Sequence, residues 1–126
     1  MRKAILTVLG VLFASNATAM DAKELAHACT NDLLEAATYI TGFLDTWSEN
    51  DMAMVIVEAY VSDKESLKVI RHALVGKFCI PEKTSTALAI RIGCDWVETH
   101  PDKGDLTAPR ALFAAYNAAW PCLSDQ

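Results

Sequence analysis

Apolar residues recur at Leu25, Cys29, Leu33, Ala36, Ile40, Leu44 and Trp47, always three or four positions apart. That period sets all seven on one side of an α-helix. It predicts a helix that starts at Asp21, where the side chain can cap the first turn and Glu24, three residues on, can reach back. After Trp47 the pattern loosens. Ser48-Glu49-Asn50-Asp51 reads as a turn or a new cap, and Met54-Val55-Ile56-Val57 with Tyr60-Val61 fits a helix or a short β-branched strand, of which the helix is the reading adopted.

Further on, Ser62-Asp63-Lys64-Glu65 forms a second capping signature. Leu67, Ile70 and Leu74 make the apolar stripe of a helix that Gly76 can end. Phe78-Cys79-Ile80-Pro81 is predicted extended, because a residue before proline is pushed out of the helical region. A helix from Thr84 or Ser85 turns Leu88, Ile92 and Trp96 inward and stops before Pro101. The last helix is expected to be capped by Thr107, with Pro109 in its first turn and Leu112, Phe113, Tyr116 and Trp120 on its core face. The sum is an all-α domain, a small bundle of four or five short helices. Leu33, Ile40, Trp96, Phe113 and Trp120 are its expected buried large residues, and Gly42 its expected point of close helix approach.

The chain opens differently. Arg2 and Lys3 precede the apolar run Ala4–Ala14, and Ala17-Thr18-Ala19 follows. These are the n-region, h-region and cleavage site of a signal peptide at residues 1–19, leaving a domain at 20–126 in an exported, periplasmic protein. Ser15 and Asn16 interrupt the run before it reaches the about 20 apolar residues of a membrane span.

Without Arg2 and Lys3, nine basic residues face sixteen acidic ones. A surface of net charge minus seven repels phosphates and anionic headgroups, which argues against nucleic acid and membrane partners. The imbalance is local. From Met20 to Ser62, Lys23 is the one base against eight acids, whereas the rest of the chain is balanced. Glu49, Asp51 and Glu58 in the ambiguous segment are therefore the candidate partner-binding residues, expected to meet a basic surface.

Cys29, Cys79, Cys94 and Cys122 all lie beyond the export signal, and four cysteines in an oxidising compartment read as two disulfides. Zinc is the competing reading, but no C-x-x-C pair supports it. If the last two helices run antiparallel, they return Cys122 to the corner holding Cys79, which leaves Cys29 for Cys94. Nucleotide, hydrolase and metalloprotease motifs are absent from the sequence. His27 and His72 fall off the apolar stripes, and His100 sits at a helix end where the dipole favours a cation. No catalytic, cofactor or metal residue is assigned, and the chain reads as a binding protein, not an enzyme.

Four short motifs add a resemblance. Tyr39-Ile40-Thr41-Gly42, Phe78-Cys79-Ile80-Pro81, Val97-Glu98-Thr99-His100-Pro101 and Ala118-Ala119-Trp120-Pro121-Cys122 stand in the order seen in the Rap/Tai family of type VI secretion immunity proteins. The chain resembles that family over most of residues 25–122. It departs from it in the length of 48–76, in the alanine where the family has a cysteine just before Y-I-x-G, and in Cys94. The resemblance implies a periplasmic antidote that binds and inhibits a secreted effector, often a peptidoglycan amidase, with a second copy of the chain as the other candidate partner. The alternative is a periplasmic acid-stress chaperone of the HdeA type or another helical envelope binder.

Overall fold

In a computed structural model, residues 19–123 are described. The expected signal peptide lies outside them except for Ala19. The described residues form five α-helices: α1 (Ala22–Asn31), α2 (Leu33–Tyr60), α3 (Lys64–Leu74), α4 (Thr86–Thr99) and α5 (Ala108–Ala119), with a 3-10 turn at Pro101–Lys103. The all-α expectation holds, although α2, at 28 residues, is far from short.

The first helix is two helices. Asp32 ends α1 and caps α2, its backbone at φ −144° and its side chain accepting from the Glu35 N–H. An aspartate at this point offers the chain an alternative to continuous helix, because its carboxylate satisfies an N–H that a preceding turn would otherwise have taken. The break preserves the apolar period on each side, so Leu25, Ala36 and Ile40 are all buried. Leu33 is the casualty: as the first residue of α2 it is 61% exposed, against expectation. The turn expected at 48–51 does not form, and α2 runs through it as helix to Tyr60.

The start of α1 follows the sequence, with reciprocal hydrogen bonds between Asp21 and Glu24. Asp63 caps α3, accepting from the N–H groups of Glu65 and Ser66 and from the Ser66 hydroxyl. Gly76 follows the end of α3 at φ +74°, a left-handed conformation that glycine adopts without steric cost. Ser85 caps α4. Thr107 makes no side-chain cap for α5. The Ala108 N–H instead donates to the Met20 carbonyl, and the Ala22 N–H donates to the Leu106 carbonyl, which ties the start of α1 to the start of α5.

The core gathers where α1, α2, α4 and α5 meet. Leu25, Ile40, Leu112 and Tyr116 are fully buried there, and Met54 is fully buried farther along α2. Trp96, Phe113 and Trp120, expected inside, are only partly buried and cover the core's edge, Trp120 stacked on Tyr116 with centroids 5.4 Å apart. The Tyr116 hydroxyl donates to the Ala89 carbonyl at 3.0 Å, and its burial pushes the phenol pKa upward.

Close helix approach occurs at Gly93, not Gly42. A Cβ on Gly93 would stand 2.8 Å from Leu112 Cδ2 and 3.3 Å from both Ile40 Cδ1 and the Tyr116 hydroxyl, whereas nothing lies within 4 Å of one on Gly42. Disulfides Cys29–Cys94 and Cys79–Cys122 join α1 to α4 and the post-α3 corner to the chain end. Around the second, the Cys79 N–H donates to the Trp120 carbonyl at 2.9 Å and the Cys122 N–H to the Lys77 carbonyl at 3.3 Å.

Two outcomes follow for thermal and denaturant unfolding. Gly42→Ala is expected to stabilise by up to about 1 kcal/mol, since it gains helix propensity into open space, whereas Gly93→Val is expected to cost about 1–3 kcal/mol by overpacking. Replacing either disulfide by a serine pair is expected to cost about 4 kcal/mol in the chain-entropy account, because each closes a long loop. A melting temperature unmoved by both disulfide replacements would contradict that account.

Candidate partner-binding surface

The acidic segment forms an arm. The N-terminal half of α2 is packed into the body by Ala36 and Ile40, while its C-terminal half is accompanied chiefly by α3. Polar contacts fasten α3. Helices end with carbonyls that have no partner within the helix, and here α2 supplies donors: Trp47 Nε1 to the Val75 carbonyl at 2.8 Å, and Asn50 Nδ2 to the Leu74 carbonyl at 3.3 Å. Trp47 also stacks on Phe78, with centroids 5.1 Å apart, so one side chain holds α2, the end of α3 and the corner before Cys79.

Arg71 is the other fastening. Its guanidinium lies between Asp51, at 3.2 Å, and Glu58, at 2.8 Å, and donates to Glu58 through both Nε and an Nη. The hydrogen bond that Arg71 donates to the Glu58 carboxylate is the main reason the Arg71 pKa is raised. Asp51 and Glu58 sit seven residues apart on α2, two turns along one face, and this is the signal in the sequence that a single cation of α3 could serve both. Glu49 points away from them, is exposed, and joins no ion pair among the described residues. Of the three carboxylates marked out by charge, then, two are engaged within the chain and one is free to meet a partner.

At the other end of α3 the Ser66 hydroxyl, followed by the Ser66 and Glu65 N–H groups, holds the Asp63 carboxyl below the usual carboxylate range. A depressed carboxylate stabilises above its unfolded pKa and loses that contribution as pH falls through the folded one. The α3 cap therefore persists through neutral and mildly acidic conditions.

The arrangement offers little to chemistry. Among the described residues no three His, Cys, Asp or Glu side chains gather to hold a metal ion, and no helix is long and apolar enough to cross a membrane. His27 and His72 are exposed on separate helices. His100 caps α4, its ring stacked on Trp96 with centroids 4.3 Å apart and its Nδ1 2.8 Å from the Trp96 carbonyl.

Partly exposed ion pairs contribute at most about 1 kcal/mol, so Arg71→Gln is expected to change global stability by less than that. It is expected to act locally. Amide hydrogen exchange should accelerate in α3 while α1, α4 and α5 keep their protection, and uniform acceleration across all five helices would show that the arm does not open separately.

Neither a curated protein nor a solved structure matches the chain. A family model does, that of the Rap1a immunity proteins, and its match runs from residue 21 to residue 122. The match takes in both disulfides, the core and the whole α2–α3 arm, and the chain belongs to the Rap1a immunity protein family.

Proposed function

We propose that this protein is a periplasmic antidote that binds a type VI secretion effector, a peptidoglycan amidase, and blocks its access to the cell wall. The observation that carries this reading is the family match across residues 21–122. The physical character of the molecule supports it. Two disulfides hold a small body rigid, which suits an exported protein, and a rigid surface loses little entropy on binding. Inhibition by steric cover requires shape and charge, not a reactive group, so the protein acts without catalysis of its own. The export signal expected at 1–19 would place the antidote on the same side of the inner membrane as the peptidoglycan, where an incoming amidase would act.

The decisive experiment pairs the protein with a candidate effector sought among the genes beside its own. Exporting that effector alone to the periplasm of a sensitive host is expected to lyse the cells, and co-expression of the full chain to rescue them. A version lacking residues 1–19 should fail to rescue, because it stays in the cytoplasm. Purified together, the two proteins should form a complex, and amide cleavage of isolated peptidoglycan should fall to background at equimolar ratio. Lysis undiminished by the exported protein, with no complex in solution, would refute the assignment.

A further inference from the structure

The side of α2 that faces away from α3 carries a second pattern. Asp45, Glu49, Met52, Ile56 and Tyr60 follow one another at spacings of four, three, four and four, which aligns them on one face of the helix. All five are exposed, with Met52 at 66%, Ile56 at 61% and Tyr60 at 85%. Neither Asp45 nor Glu49 joins an ion pair among the described residues.

Towards the body, Thr38 and Gly42 of the same line border a groove of about 520 Å³ that α2 shares with the end of α3 and with α5, through Ala73, Leu74, Pro109 and Phe113. Gly42 opens its floor, since a Cβ there would meet nothing within 4 Å. Most of its side-chain donors are already engaged, the Tyr39 hydroxyl being the exception among the described residues. Thr38 and Thr46 donate their hydroxyls to the Leu34 and Gly42 carbonyls, and the Trp47 and Asn50 donors are used on α3. What the groove presents is mainly methyl groups and aromatic rings, with the Tyr39 hydroxyl among them, a lining suited to a largely apolar side chain.

We propose that this face of α2, from the groove at Gly42 to Tyr60, is the surface that docks the effector, and that it takes a protein surface with an apolar side chain for the groove, an arginine or lysine beside it, and further apolar contact beyond. The inference rests on the immunity reading and adds where and with what chemistry the partner binds. Charge selects the occupant. Two apolar stretches separated by Asp45 and Glu49 can be covered without stranding those carboxylates only by a partner that brings cations to them. A second copy of this chain brings no cation to those carboxylates, because α2 carries neither lysine nor arginine.

The test uses the full mature chain and the purified candidate effector, with binding followed by biolayer interferometry and each variant's fold verified by circular dichroism and melting. Three variants each address one part of the face: Gly42→Leu fills the groove, Asp45→Lys with Glu49→Lys reverses the charge, and Met52→Asp with Ile56→Asp breaks the apolar stretch. Lys83→Glu, on the exposed loop before α4, is the control.

Each of the three is expected to raise Kd at least tenfold with melting intact, and the charge reversal is also expected to flatten the dependence of association rate on salt. The control should bind as the wild type does. If Met52→Asp with Ile56→Asp melts early, Met52→Ser with Ile56→Ser takes its place. Wild-type affinity in all three variants would overturn the docking face while leaving the immunity assignment intact, whereas an effector that ignores the wild-type protein as well would overturn both. Sedimentation decides against the other occupant: a wild-type dimer that Met52→Asp with Ile56→Asp splits would give the face to a second copy and overturn the proposal.

Discussion

The missing side chain at Gly93 is the constraint around which the body is arranged. Because α4 carries only a hydrogen there, Leu112 of α5, Ile40 of α2 and the Tyr116 hydroxyl can converge on its backbone. Tyr116 then reaches the Ala89 carbonyl one turn earlier on α4, so a buried phenol is satisfied where an apolar residue alone would have filled the space. Cys94, the next residue, is set against α1 and bonds Cys29. Packing, a buried hydrogen bond and a covalent link thus meet within six residues of one helix, and all of them depend on α5 and α2 lying close.

Anchoring α2 at Ala36 and Ile40 leaves the rest of a 28-residue helix to extend beyond the core. Neither disulfide reaches into that part or into α3. What holds the arm together is Met54, the Trp47 and Asn50 hydrogen bonds to the end of α3, and the Arg71 ion pairs. The domain therefore divides its stability unevenly. A stapled body carries most of the burial, while an extended element with few buried contacts carries the exposed apolar and acidic residues, which is where a binding protein can place contact surface without disturbing its own core.

Much of the body was legible in the sequence because its signals are local. The Asp21–Glu24 capping box, the Asp63 and Ser85 caps, the glycine after α3 and the proline corners all act within a few residues of where they stand. The break at Asp32 was hidden for a physical reason: a kink that keeps the same face turned inward also keeps the three-and-four spacing, so periodicity reads through it, and Leu33 was placed inside when the cap puts it outside. The two glycines illustrate the same limit. Gly42 and Gly93 both lie mid-helix, and only the crossing of α5 over α4 decides that the second is a contact and the first an opening. The family motifs supplied what such patterns could not, since they point to a shared fold irrespective of which residue does what.

The candidate site was harder to read because net charge is a sum and recognition is a geometry. Eight acids against one lysine between Met20 and Ser62 single out the half of the chain that contains α2. They do not say which carboxylates are spent internally. Arg71 lies outside that window, yet it folds back to engage Asp51 and Glu58, and so gives two of the three residues that charge alone would nominate a role within the chain. Once those two are assigned to holding α3, the spacing of what remains on α2 acquires meaning: Asp45 and Glu49 share a face with Met52, Ile56 and Tyr60 that no element among the described residues covers. An exposed helix face with apolar and charged residues in one line resembles the apolar core and polar rim of a protein interface more than the evenly mixed coat that keeps a protein in solution. The two acidic faces of α2 thus serve opposite ends, one turned inward to build the arm and the other turned outward for what the arm meets.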